Sequence, residues 1–237
     1  TLLSFKSCNA FFSTPFETLF ITDYYITKLM KLTLFLIIVN ILVFSYSYFN
    51  PNLINQYGFT AKGFLSGDYH LIATSMFLHA NLAHLANNMI ALFFLGWTIE
   101  QNVGKWKYLL AYFAAGFLGN LSAFVPIFGY SDAIAVGASA AISGLVGLGA
   151  FVCPGKFVIF PSAFPLPFVV AGAIYFLVTL SNLFIPSQVA YPAHLFGAVG
   201  GAFFGLLWGK DRVKRLMVFI LLLILVSNIP LAVGYFL

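Results

Sequence analysis

Three clusters of polar residues interrupt an otherwise apolar chain, and their residue types are those of acyl-transfer chemistry. In chain order they are His79, His84 and Asn88, then Ser139 and Ser143, then His194. A serine hydroxyl becomes a good nucleophile when a base takes its proton, and an imidazole is a suitable base. Amide and imidazole N–H groups can stabilise the oxyanion that forms next. This chemistry requires the fold to bring the three clusters together.

The composition of the chain places these clusters in a membrane. Of 237 residues, 62% are apolar and 7% are charged, and the mean hydropathy is +1.00, whereas a soluble domain carries about 25% charged residues. The eleven basic residues do not form one amphipathic surface, so we expect no nucleic-acid partner. Neither C-x-x-C nor H-E-x-x-H occurs, and we expect no metal and no organic cofactor.

Seven apolar segments approach the length of about 20 residues that a membrane-spanning helix needs. They are 32–49, 82–98, 107–128, 135–153, 165–185, 189–208 and 214–236. The sequence therefore predicts an all-α polytopic membrane protein, with a six-helix core over 30–209 and an additional C-terminal transmembrane helix within 210–237. Residues 1–29 show no clean period, and we expect a non-native or loosely held extension there.

The lysines and arginines indicate how these spans are oriented. Ten of the eleven fall on one side of the predicted bilayer, and only Lys62 falls on the other. The positive-inside rule makes the basic side cytoplasmic and places the N-terminus there. The second, fourth and sixth spans then run from outside to inside, which brings the three polar clusters to one depth. Polar groups in lipid need partners or water, so we expect one water-reachable site within the bundle.

Small residues on the fourth and sixth spans could bring Ser139 and His194 into contact. Gly197, Gly201 and Gly205 form a stripe on the sixth span, and His194 lies one turn before it on nearly the same face. The fourth span begins AVGASAAISGLVGLGA, and such small residues allow close approach of helices. If the stripe packs on this span, His194 can deprotonate Ser139. Asp68 and Asp132 are the only acids on the outer side, and both precede the helices by several residues. We therefore expect a Ser–His dyad rather than a triad with an acid.

The second span offers groups that could stabilise the oxyanion. Asn88 lies four residues after His84, one turn deeper on the same face of the helix. Their side-chain N–H groups and the Ser139 backbone N–H could together form an oxyanion hole.

These residues resemble the motifs of the rhomboid intramembrane serine proteases. The matching elements are His79-x4-His84-x3-Asn88, Gly-x-Ser at 137–139 and Ala193-His194-x2-Gly197. The resemblance covers residues 32–209, with six core helices in the same order. It implies a Ser139 nucleophile, a His194 base and an oxyanion hole of His84 and Asn88 that His79 supports. It also implies that the substrate is a transmembrane segment of another membrane protein, cut within the bilayer near its outer end.

Two features depart from this family pattern or lie outside it. Ala140 stands where the family usually has glycine, and Ser143-Gly144 offers a second Ser-Gly match. The frame Gly137-x-Ser139-x4-Gly144 favours Ser139 as the nucleophile. The seventh helix is an addition to the six-helix core of many members, and we expect it to be structural. The resemblance also implies a structural role for Glu100, at the inner end of the second helix.

Two other functions remain open at this point. Three histidines could serve a proton or metal transporter, although transporters of this kind usually place carboxylates at the midplane and show inverted repeats. A rhomboid-like protein could also bind membrane helices without cutting them, although such relatives typically lose the serine or the histidine. The short loops favour the plasma membrane of a prokaryote, with several passes and a cytoplasmic N-terminus.

Overall fold

The structure, a computed structural model, describes residues 31–128, 133–159, 164–185 and 187–236, and side chains as far as residue 228. The helices are α1 (Lys31–Phe49), α2 (Asn52–Tyr57), α3 (Ala61–Leu65), α4 (Leu71–Thr74), α5 (Leu82–Val103), α6 (Lys105–Leu121), α7 (Ser139–Val152), α8 (Phe168–Ser181), α9 (Tyr191–Trp208) and α10 (Arg212–Phe236). Short antiparallel strands β1 (Phe157–Val158) and β2 (Leu166–Pro167) form a hairpin before α8. The predicted all-α fold class is confirmed, and the proposed extension at 1–29 lies outside the described residues.

Several predicted spans differ from the helices at their ends. The fourth was predicted from residue 135, but α7 begins only at Ser139, because the preceding segment is extended and pairs with the outer loop. The fifth was predicted over 165–185, but α8 covers Phe168–Ser181. Pro165 and Pro167 lack backbone N–H groups and resist helical continuation, which explains the late start. Among the described residues, α1 and α5 are long and apolar enough to cross a membrane, and α7 and α8 are shorter apolar helices. The count of seven spans stays a prediction.

Helix α7 lies at the centre of the bundle and contacts α5, α6, α8 and α9. Its small residues permit this position, because neighbouring backbones approach it closely. The contact with α9 is the tightest: a Cβ atom added at Gly201 would lie 1.8 Å from the Gly144 carbonyl oxygen. A Cβ added at Gly197 would lie 2.1 Å from the Ala140 carbonyl oxygen. The predicted packing of the glycine stripe on the fourth helix is confirmed.

A buried carboxylate joins α1 to α5 at the end of the bundle opposite the histidines. Glu100, which is 3% exposed, accepts hydrogen bonds from the backbone N–H groups of Leu32 (3.2 Å) and Thr33 (2.9 Å) and from the Thr33 hydroxyl (2.8 Å). These N–H groups belong to the first turn of α1 and have no partner within that helix. A negative charge is also favourable beside the positive end of the helix dipole. Glu100 therefore has the structural role that the family resemblance implied.

The glycine contact between α7 and α9 makes a direct prediction for stability. Gly201→Ala should lower the free energy of unfolding by about 1–3 kcal/mol, because the new methyl group must push two helix backbones apart. Thermal unfolding in detergent micelles measures the effect. Gly155→Ala is the matched control, since a Cβ there meets no heavy atom within 4 Å. Equal melting temperatures for the two variants would contradict the close contact.

Candidate functional site

A tight turn delivers Ser139 to the first position of α7. Gly137 has φ +121°, a backbone conformation that favours glycine. Its N–H donates to the Ser75 carbonyl at 2.9 Å, which holds the turn against the outer loop. Ser139 follows as the first helical residue and is partly exposed. Its backbone N–H is one of those without a partner inside the helix, at the positive end of the helix dipole.

The outer loop fixes the segment that leads into this turn. Phe59 and Ala135 exchange two backbone hydrogen bonds, of 2.9 and 2.8 Å. The side-chain amide of Asn120, on α6, donates to the Ser75 hydroxyl at 3.0 Å and to the Ile72 carbonyl at 2.9 Å. Hydrogen bonds from the outer loop, which α6 holds in turn, thus fix the turn before Ser139. The sequence did not predict these hydrogen bonds, because the residues that form them share no motif or period.

His84 and Asn88 face the same turn from α5. A Cβ added at Gly137 would lie 2.7 Å from His84 Nε2 and 3.5 Å from Asn88 Nδ2. The side chain of Asn81 caps α5 by accepting a hydrogen bond from the His84 N–H at 2.8 Å, which fixes where the helix begins. Asn88 is 7% exposed, and within the described part of the chain its Nδ2 has no hydrogen-bond partner. The turn before Ser139 therefore has a buried, unused N–H donor beside it.

His194 approaches from the first turn of α9. A Cβ added at Gly119 would lie 2.4 Å from Ala140 Cβ and 2.9 Å from the Ala193 carbonyl oxygen. The residue after Ser139 and the residue before His194 thus meet at one point on α6. The structure brings together the beginnings of α5, α7 and α9, the parts of these helices that carry the predicted site residues.

The two candidate serines have different surroundings. The Ser143 hydroxyl donates to the Ser139 carbonyl at 2.8 Å and shares a short hydrogen bond of 2.5 Å with the Tyr175 hydroxyl. Ser143 is 1% exposed, whereas Ser139 is partly exposed. Tyr175 lies on α8 and had no sequence signal that linked it to the site. Ser143 is therefore engaged in holding the first turn of α7.

His79 packs behind this site, on the loop before α5. Its ring is 1% exposed and meets the His84 ring edge to face, with 5.0 Å between the centroids. Burial, together with the neighbouring His84, lowers the pKa of His79 to about 4. At neutral pH His79 is thus an uncharged ring that supports His84.

The described residues contain no group of three or more His, Cys, Asp and Glu side chains that could hold a metal ion.

The structure thus defines a bundle of largely apolar helices with a cluster of polar residues where three of the helices begin. The chain belongs to the rhomboid family, because the model of the Rhomboid domain matches residues 66–211, more than half of its length. It is 31% identical over 155 residues to YdcA of Bacillus subtilis (strain 168), a match that covers 65% of this chain and 74% of YdcA.

Two further relatives match over a smaller share of their own length. The Rhomboid protease GluP of Bacillus subtilis (strain 168) is 31% identical over 173 residues, which is 71% of this chain and 31% of GluP. The Rhomboid protease AarA of Providencia stuartii is 35% identical over 136 residues, which is 49% of this chain and 48% of AarA. The chain thus spans less than half of either protein.

Proposed function

We propose that this protein is a serine endopeptidase that cleaves transmembrane segments of other membrane proteins, using Ser139 and His194 as a dyad. The observation that carries the proposal is the meeting of three helix beginnings, which gathers a partly exposed serine, two histidines and an unused amide donor. Membership of the rhomboid family supports it, as do relatives that are named rhomboid proteases.

In the proposed reaction, His194 acts first as a base and then as an acid. A ring nitrogen of His194 takes the Ser139 proton while the Ser139 oxygen bonds to the carbonyl carbon of the scissile peptide. The imidazolium then gives this proton to the departing amine, which leaves an ester on Ser139. Water, activated by the same ring, hydrolyses the ester and restores the enzyme.

The negative oxygen that forms during each step needs donors already in place. The proposed donors are Asn88 Nδ2–H, a ring N–H of His84 and the backbone N–H of Ser139. Fixed donors of this kind stabilise the transition state without first having to reorient. The positive end of α7 favours the same charge. His79 would keep the His84 ring in place.

The proposed location is a prokaryotic plasma membrane, crossed several times with the N-terminus cytoplasmic, and contacts at the far end of the bundle support the placing of basic residues on one side. Lys107 Nζ lies 5.4 Å from the centroid of the Trp208 ring. The Arg215 guanidinium donates to the carbonyls of Phe151 and, at 3.2 Å, Val152. The basic residues beside two helix connections, α5–α6 and α9–α10, therefore share one end of the bundle, as the positive-inside rule expects of a cytoplasmic face.

The dyad is tested with purified protein, a fluorophosphonate probe that reacts with activated serines, and a reporter with a single transmembrane segment. Wild type should be labelled and should cut the reporter, and Ser139→Ala and His194→Ala should do neither. Ser143→Ala is the control and should keep its labelling, because Ser143 is hydrogen-bonded on both sides. If Ser139→Ala were still labelled and Ser143→Ala were not, Ser143 would be the nucleophile. A wild type that takes no label and cuts nothing would favour the binding or transport alternatives.

The oxyanion role of Asn88 makes a separate prediction. Asn88→Ala should lower kcat for the reporter by about 10²–10³, as loss of one oxyanion donor does in other acyl-transfer enzymes. Asn87→Ala is the matched control, since Asn87 is exposed and turned about 100° away on the same helix. If both variants lost the same activity, Asn88 would have no special part in the reaction.

A further inference from the structure

A groove runs between α8 and α9, and its lining includes neither Ser139 nor a histidine. Its volume is about 270 Å³, and α7 forms its floor with Gly147 and Ala150. The groove exists because α8 and α9 both pack tightly on α7. A Cβ added at Gly172 of α8 would lie 2.9 Å from Ala150 Cβ, and one added at Gly147 would lie 2.0 Å from the Ala198 carbonyl oxygen. Because α8 and α9 both pack on α7, a groove remains between them.

The walls of this groove are suited to a hydrocarbon chain. Its lining is apolar apart from Tyr175, whose hydroxyl is already bonded to Ser143. On the α9 side, Val199 is 51% exposed and Phe203 is 62% exposed, so the groove opens at the outer surface of the bundle. That surface faces lipid in the proposed arrangement. An α-helix with its side chains is about 10 Å in diameter, and an acyl chain is much thinner. The groove therefore suits an acyl chain better than a helix.

One end of the groove leads to a basic segment. Leu216 and Phe219 of α10 line the groove, and Arg212 and Arg215 lie one helical turn before them on the same face. Arg215 is engaged with the carbonyls at the end of α7, but the Arg212 side chain is exposed.

The neighbours of Arg212 add to its positive charge. Lys210 and Lys214 are also exposed, and Asp211 is the one acid between residues 210 and 215. Cations beside the cytoplasmic end of a membrane helix attract anionic lipid headgroups. The apolar groove and the basic segment together match the two parts of one ligand.

We propose that this groove holds an acyl chain of an anionic phospholipid, whose phosphate group binds Arg212 and its basic neighbours. The lipid would fill the groove between α8, α9 and α10, and it would thus contact both the last helix and the core helices. The proposal uses the orientation proposed above and does not depend on proteolysis. Its failure would leave the dyad untouched, because the groove and the site are tested by different variants and readouts.

The test measures lipid retention by native mass spectrometry of the full chain released from detergent micelles. Phosphatidylglycerol is compared with phosphatidylcholine carrying the same acyl chains, so that only the headgroup differs. Wild type should retain phosphatidylglycerol in preference. Arg212→Gln should weaken that retention about fivefold, which corresponds to the contribution of about 1 kcal/mol from one cation near a lipid surface. Lys105→Gln is the matched control, since it removes an exposed cation from the first residue of α6, at the same end of the bundle.

A second variant tests the groove itself. Ala202→Leu adds bulk to a lining position of α9 and should reduce retention of both lipids. If Arg212→Gln and Lys105→Gln weakened the retention of phosphatidylglycerol equally, the proposal would be overturned. The lipid would then be attracted by the overall charge of the protein and not by Arg212 in particular. Wild-type retention in Ala202→Leu would also overturn it. Loss of reporter cleavage in Ala202→Leu with unchanged lipid retention would assign the groove to a substrate helix instead.

Discussion

The contact between the backbones of α7 and α9 is the constraint on which the rest of the structure depends. At Gly201 and Gly197 the two helices are so close that a single methyl group would collide with a carbonyl oxygen of the other helix. Apolar surface gains little by leaving lipid for a protein interior, so close packing and hydrogen bonds must hold such helices together. Glycine at these positions gives the closest approach. The same approach brings the first turn of α9 beside the first turn of α7, where Ser139 and His194 lie.

Buried polar side chains at the two ends of the bundle differ in their hydrogen bonding. At one end, Glu100 is fully engaged with the first turn of α1, and this buried charge is stabilised by three hydrogen bonds. At the other end, the buried amide of Asn88 keeps a donor that no described residue uses. A donor without a partner among the described residues is suited to a charge that forms only during a reaction, which is the use proposed for it.

Much of the arrangement could be predicted because it follows from short-range patterns. The spacing of His84 and Asn88 places them on one helix face, and the glycine stripe identifies the face of α9 that packs on α7. The hydrogen bonds of Tyr175 with Ser143 and of Asn120 with Ser75 could not be predicted, since each joins residues more than 30 positions apart that share no period. The late start of α7 had a similar cause, because pairing with Phe59 keeps the preceding residues extended. Local patterns thus predicted the helices, and a long-range backbone pairing decided where α7 begins.

The convergence of α7 and α9 is tested most directly by a pair of cysteines at Ser139 and His194. In a chain whose Cys8 and Cys153 are replaced by serine, Ser139→Cys with His194→Cys should be joined by a short bifunctional thiol reagent, because a base must lie within hydrogen-bond reach of the hydroxyl that it deprotonates. Intact mass after alkylation counts the remaining thiols. Gln101→Cys with His194→Cys is the control pair and should keep both thiols free, since Gln101 is near the other end of α5. Two free thiols in the 139–194 pair as well would contradict the meeting of the two helices and the mechanism built on it.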